Sequence, residues 1–229
     1  LNIKIKLPTN YIICCIASQL LHKKKSSINT FGFYNPIEKK RGSLQIIYQL
    51  VHGDINESHK QVLKRYPESL LLIAPRKPER FKAVHKLIID SGLTSSLWSD
   101  FERLDTEISV LLIDTLGDLP FFYSAADVAF VGGSLFAVGG HNLLEPASLG
   151  KPVITGPILH NVEEISSQLM INGGLAIIND SSELAETIIT LFDDSSKVDT
   201  MVSGALEVMQ DNKGAIDNIM QLIKPLIKV

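Results

Sequence analysis

Ser69-Leu-Leu-Leu-Ile-Ala74 runs uncharged and almost wholly apolar between a proline-closed segment and a Pro-Arg turn. Such a run fits a strand covered on both faces, as parallel sheets with helices on either side require. It recurs along the chain. Strands are expected at 44–51, 69–74, 108–113, 128–131, 152–155 and 175–178, six in all. Helix-compatible stretches fall between them at 57–66, 79–91, 118–126, 143–149, 162–172 and 182–192. Two further helices are expected at 197–210 and 214–226. Pro67 closes the first helix, Gly92 stops the second, and Ser181 or Ser182 caps the helix at 182–192. Strand and helix in alternation predict an α/β fold, a Rossmann-like parallel sheet with helices on both faces.

Residues 1–43 depart from this rhythm. Lysines, serines and asparagines cluster there, and Asn29–Pro36 is turn-rich. The expected organisation is a poorly defined N-terminal segment over 1–43 and a Rossmann-like domain over 44–229. Tyr11–Leu21 is apolar but about half the ~20 residues that span a bilayer. Lys23, Lys24 and Lys25 follow it, the reverse of a signal peptide's charge order. Neither an export signal nor a transmembrane helix is expected. The first residue is Leu1, which leaves a fragment or an incomplete reading frame open.

A net charge of −3 over 229 residues carries no basic footprint, so nucleic acid is not an expected partner. Cys14 and Cys15 are adjacent, which suits neither a framework disulfide nor a structural zinc site. They read as core thiols in a reducing cytosol.

Ligands of open α/β sheets bind outside the carboxyl ends of the strands, so residues just after each strand are the candidates. Arg76 follows the 69–74 strand, with Pro75 and Pro78 stiffening its loop. It is either a fork for phosphate or a solvated charge paired with Glu79. After the 108–113 strand, Leu116 and Gly117 sit in a tight turn whose backbone suits a base edge; Asp118 is equally a helix N-cap. After the 128–131 strand come Gly132-Gly133 and Gly139-Gly140, which allow close backbone approach to a phosphate. They match neither the dinucleotide fingerprint nor the P-loop.

Asn142 and Glu145 have the spacing of a capping box, and Glu145 is also placed to accept from a ribose. Pro146 disturbs the first reading, since it lacks the N–H a helix from Leu143 needs. His141 reads as a general base, a phosphate donor or a structural histidine. No second histidine lies at metal spacing, so no metal is expected. His160 and Asn161 either face the same crevice or form a surface pair.

Taken together, these segments resemble the 3-deoxy-D-manno-octulosonic acid (Kdo) transferases of Gram-negative bacteria. The resemblance rests on Ala74-Pro-Arg-Lys-Pro-Glu-Arg-Phe81, Asp114-Thr-Leu-Gly-Asp118 and Ala126-Asp-Val-Ala-Phe-Val-Gly-Gly-Ser134. Gly139-Gly-His-Asn-Leu-Leu-Glu-Pro146 and Gly150-Lys-Pro-Val-Ile-Thr-Gly-Pro157 extend it. It implies the C-terminal, donor-binding half of a two-domain GT-B glycosyltransferase that moves Kdo from CMP-Kdo to lipid IVA in lipopolysaccharide core assembly. On that resemblance CMP is held by Pro75 and Arg76, by Leu116, Gly117 and Asp118, and by Asn142, Leu143, Leu144 and Glu145. Gly139, Gly140 and His141 form the adjoining donor-site loop. Lys77 stands where the family usually has His, and Leu116-Gly117-Asp118 where it has Met or Ile-Gly-Glu.

The resemblance also implies that neither metal nor cofactor is needed, because the donor carries a single phosphate. The family's membrane-proximal anchor, acceptor site and catalytic glutamate belong to an N-terminal domain not recognisable in residues 1–43. Its Ser/Thr-His-Glu-Gly-Glu segment survives only weakly around His52. No catalytic residue is therefore expected in this chain, and membrane contact only through that other domain. The full-length family works at the cytoplasmic face of the inner membrane; this chain alone is expected to be soluble, cytoplasmic and without turnover. Two alternatives stand beside this, a non-catalytic CMP-binding remnant and another GT-B transferase using a UDP-sugar.

Overall fold

The computed structural model describes residues 10–16 (as backbone), 55–103, 108–135 and 139–212. Among them, seven strands form one sheet: β1 (Asn10–Ile16), β2 (Ser69–Pro75), β3 (Ser95–Leu97), β4 (Val110–Leu112), β5 (Val128–Val131), β6 (Val153–Thr155) and β7 (Leu175–Ile177). Every pairing is parallel, in the order β3-β4-β2-β1-β5-β6-β7. The helices are α1 (Asn56–Arg65), α2 (Phe81–Asp90), α3 (Leu119–Ala125), α4 (Leu144–Ser148), α5 (Glu163–Ile171), α6 (Ser181–Asp193) and α7 (Ser195–Asp211).

The apolar runs divide between the two faces. On β2, Leu71 and Ile73 pack with α1, α2 and α6, whereas Leu70, Leu72 and Ala74 pack with α3. On β4, Val110 and Leu112 join the first group, and Leu111 and Ile113 the second. This period of two inside a continuous apolar run is the mark of a strand buried on both sides. A third cluster gathers Val131, Val153 and Leu175 beneath α4, α5 and α7.

Two differences from the sequence reading concern strands. β1 lies at the centre of the sheet, paired with β2 from Asn10↔Ser69 to Ile16↔Pro75 and with β5 over Ile12–Cys15. It falls inside the stretch 1–43, whose overall composition departs from the rest, although its own uncharged Tyr-Ile-Ile-Cys-Cys-Ile suits a central parallel strand. β3 was also missed: Ser95-Ser-Leu97 is three half-buried residues at the sheet edge, too short and polar to carry periodicity. The strand expected at 44–51 and the helix at 214–226 lie outside the described residues.

Caps differ too. Asp180, not Ser181 or Ser182, caps α6, its carboxylate accepting from the N–H groups of Ser182 at 2.8 Å and Glu183 at 3.0 Å. Asp194 caps α7 in the same way through Ser196 N–H. Gly92 ends α2 at φ +82°, as read.

Among the described residues one histidine is sealed inside. His59 on α1 is 2% exposed, and its Nε2–H donates to the Ser109 carbonyl at 2.8 Å, joining α1 to the start of β4. Burial pushes its pKa down to about 4, against the opposing pull of that hydrogen bond.

Candidate functional site

The carboxyl ends of β2, β5 and β6 open onto a cleft of about 590 Å³. Arg76, the first residue after β2, forms one wall. Its guanidinium is exposed and makes no ion pair or hydrogen bond among the described residues, so the pairing with Glu79 is not formed. Facing it are Gly140, His141 and Asn142 from the loop after β5. That loop is folded back by Gly140 N–H donating to the Gly133 carbonyl at 2.8 Å. Gly133, Gly139 and Gly140 hold φ of +79°, +97° and +82°, a region other residues enter only with strain.

A second loop, after β6, interlocks with the first. Asn161 N–H donates to Gly139 O at 2.9 Å and Ile158 N–H to Ser134 O at 2.8 Å. Beneath them Ser134 is fully buried; its Oγ accepts from Gly156 N–H at 2.7 Å and lies 2.8 Å from Thr155 Oγ1. Thr155 Oγ1 also donates to Val131 O at 2.8 Å, so the ends of β5 and β6 are tied by side chains where their ladder ends.

The far wall is helical. Asn161, Glu163, Glu164 and Gln168 line it from the start of α5, and Asn212 closes it from the end of α7. Asn212 Nδ2 donates to Gln168 Oε1 at 3.1 Å. Glu163 and Glu164 occupy the first turn of α5, where negative charge complements the helix dipole. That turn therefore does not attract a second anion.

The positions singled out from sequence divide. Arg76, Gly140, His141, Asn142 and Leu144 line the cleft together, and Gly139 lies directly behind it. Pro75 is the buried last residue of β2. Leu143 is fully buried against Val131 and Val153, so only its backbone is available to a ligand. Glu145 is half-buried and its carboxylate makes no hydrogen bond among the described residues. The capping box is thus half made: Asn142 Oδ1 accepts from Leu144 N–H at 3.1 Å, without the return bond from Glu145.

Leu116, Gly117 and Asp118 do not line the cleft. They sit past β4, on the flank of β2 away from β5. Asp114 fixes that turn by accepting from the N–H and hydroxyl of Ser99 at 2.8 and 2.6 Å. Leu116 is 66% exposed, and the Asp118 carboxylate accepts from the Thr115 hydroxyl rather than capping α3. Since α3 packs against α4, this turn is carried toward Asn142–Glu145 all the same. The α5 wall escaped the sequence reading except for Asn161. Glu164 and Gln168 are one helical turn apart, a spacing that reads equally as a solvated face. Among the described residues, no three His, Cys, Asp or Glu side chains cluster as metal ligands.

Fold and cleft define a Rossmann-type unit that takes its ligand at the carboxyl edge of a parallel sheet, the architecture of the C-terminal domain of GT-B glycosyltransferases. The chain belongs to the family described as glycosyl transferases group 1, whose model matches residues 58–208. The 3-deoxy-D-manno-octulosonic acid transferase of Haemophilus influenzae is 35% identical over 175 residues, 76% of this chain and 41% of that protein. The protein of the same name from Bordetella pertussis is 41% identical over 108 residues, 47% of this chain and 25% of that one. This chain thus spans well under two thirds of the relatives it matches. Among solved structures, the C-terminal CMP-Kdo binding domain of WaaA from Acinetobacter baumannii shares the fold. Its TM-score is 0.70 at 24% identity, over 90% of this chain and 92% of that one.

Proposed function

We propose that this chain is the donor-binding half of a Kdo transferase and holds CMP-Kdo at the carboxyl edge of its sheet. The observation that carries the reading is Arg76: a guanidinium without an ion-pair or hydrogen-bond partner among the described residues, at the end of a buried strand and facing the loop Gly140–Asn142 across the cleft. A planar fork held this way is suited to a phosphate. Leu116, Gly117 and Asp118, with Asn142 and Glu145, take the nucleoside; Pro75, Leu143 and Leu144 shape the backbone around it.

In transfer from a CMP-sugar the bond from the anomeric carbon to the phosphate oxygen breaks. The sugar gains oxocarbenium character while charge builds on the departing CMP. Arg76 and loop N–H groups stabilise that charge, a contribution of a few kcal/mol for one oriented donor. The reading calls for no metal, since one phosphate is matched by one guanidinium and backbone donors. Acceptor and base come from the family's other domain, which brings lipid IVA to the donor by proximity and orientation. We place the complete reaction at the cytoplasmic face of the inner membrane. Among the described residues no helix is long and apolar enough to cross a membrane.

Titration calorimetry of the chain with CMP, UMP and UDP tests this. CMP is expected to bind most tightly, unaffected by EDTA, and Arg76→Ala to weaken it at least ten-fold. Preference for UDP would move the assignment to a UDP-sugar transferase, and unchanged CMP affinity in Arg76→Ala would remove the site.

A further inference from the structure

We infer that the α5 wall of the cleft is the sugar subsite: Asn161, Glu164 and Gln168 bind the hydroxyl-bearing tail of the donor's acidic sugar and set its orientation. This rests on the donor-site reading above and deepens it.

The cleft is longer than a phosphate needs. In the order β2-β1-β5-β6 three strand steps separate Arg76 from the loop that leads into α5, roughly 14 Å at the usual ~4.8 Å per step. Of the nucleoside residues, Asn142 and Leu144 reach the cleft after β5, but none lines the stretch beyond β5 where α5 begins. Leu116–Asp118 lies beyond β2 on the opposite flank, and Glu145 is outside the cleft. What extends from a phosphate at Arg76 toward α5 is therefore the other substituent of that phosphate, the sugar.

Charge decides which way round the sugar lies. A 2-keto acid sugar linked through its anomeric carbon carries its carboxylate on that same carbon, next to the phosphate. Its remaining carbons bear neutral hydroxyls. The sugar is thus anionic at its phosphate-linked end and a polyol at the other. The cleft has the matching division, with Arg76 at one end and the carboxylates of Glu163 and Glu164 at the other. Reversing the donor in the cleft would set its phosphate and carboxylate together against the two carboxylates. In the favoured direction the hydroxyls donate to Glu164 and accept from the Gln168 amide N–H₂, and Asn161 adds a further polar side chain to the same wall.

Helix electrostatics alone do not explain this wall. An acidic first turn serves the α5 dipole wherever the side chains point, but Gln168 is a full turn further on and still lines the cleft. Its Oε1 is steadied by Asn212 at 3.1 Å, which leaves the amide N–H₂ to a ligand. Asn161 is fixed by its own N–H to Gly139 O. The wall is therefore braced from α7 and from the glycine loop.

The test is competition of CMP and freshly prepared CMP-Kdo for a fluorescent CMP probe, using the full chain and the double variant Glu164→Ala/Gln168→Ala. Both positions lie outside the hydrophobic core, so the fold is retained. Wild type is expected to prefer CMP-Kdo over CMP by about ten-fold, the scale of one or two net hydrogen bonds. The double variant is expected to bind CMP normally and to lose that preference, while Glu164→Gln, which keeps an acceptor, retains most of it. An undiminished preference in the double variant, with CMP binding intact, would overturn the sugar subsite alone; so would a wild type without preference. Absence of CMP binding in every protein would instead remove the donor-site reading, and the subsite with it.

Discussion

Asn161 donates its backbone N–H to the carbonyl of Gly139 at 2.9 Å, and its side-chain amide rests where a Cβ on that glycine would stand. An ideal Cβ there comes within 2.6 Å of Asn161 Nδ2 and meets the His160 ring as well. Gly139→Ala therefore combines strain at φ +97° with displacement of the loop that follows β6. It is expected to cost about 1–3 kcal/mol in urea denaturation and to weaken CMP-Kdo binding. Gly92→Ala is the control: φ is +82° but nothing lies within 4 Å of the added carbon. Equal losses in the two variants would show that the interlock contributes nothing.

Ser134 is the buried joint between β5 and β6. Removing its hydroxyl leaves the Gly156 N–H, now bonded at 2.7 Å, without its acceptor in a place water does not reach. Ser134→Ala is expected to destabilise the fold by about 1–3 kcal/mol and to speed hydrogen exchange at Gly156. Exchange at the wild-type rate would contradict the role of that bond.

His59 predicts a pH dependence. Its pKa is about 4 in the folded protein against 6.5 for the free side chain, lowered first by burial. Between those values the unfolded chain takes up a proton that the native protein refuses. The stability tied to neutral His59 is complete above 6.5, declines as pH falls through the window, and is gone by about pH 4. The whole span is about 3 kcal/mol. His59→Gln is expected to flatten this decline relative to wild type when denaturation is followed from pH 7 to 4.5. Carboxylates elsewhere titrate alike in both proteins, so parallel curves would refute the assignment.

What could be read from the chain follows from how much each element's surroundings constrain its residues. β2 and β5 were legible because a strand covered on both faces tolerates little but apolar side chains. The carboxyl-edge positions Arg76 and Asn142 were legible because strand ends are where such folds put ligands. β1 was lost among neighbouring lysines and serines although its own residues are apolar, and β3 because an edge strand of three residues imposes no pattern. Leu143 shows the converse limit. Its place in the Asn142–Glu145 motif does not reveal that its side chain belongs to the core. Glu164 and Gln168 were illegible in a different way, since polar residues one turn apart look alike whether they face water or a cleft.

Arginine at position 76 is required for its shape as well as its charge. Arg76→Lys keeps the cation but loses the planar fork that engages two phosphate oxygens together. CMP affinity is expected to fall severalfold in Arg76→Lys and further in Arg76→Ala, with the wild-type protein showing the strongest weakening by added salt. A lysine variant equal to wild type by calorimetry would reduce the residue to a point charge.

The strand order carries a consequence for how the chain comes into being. β1 is the earliest described strand to be synthesised, yet its two neighbours are separated from it by very different lengths of chain: Asn10 meets Ser69, while Ile12 waits for Val128. Half of the sheet, β3-β4-β2-β1, can assemble before β5 has been made, with one side of β1 unpaired. Pairings across such sequence distance are the slow ones in folding, and an unpaired apolar strand edge invites association with other chains. The middle of the finished sheet is thus, during synthesis, its most exposed margin.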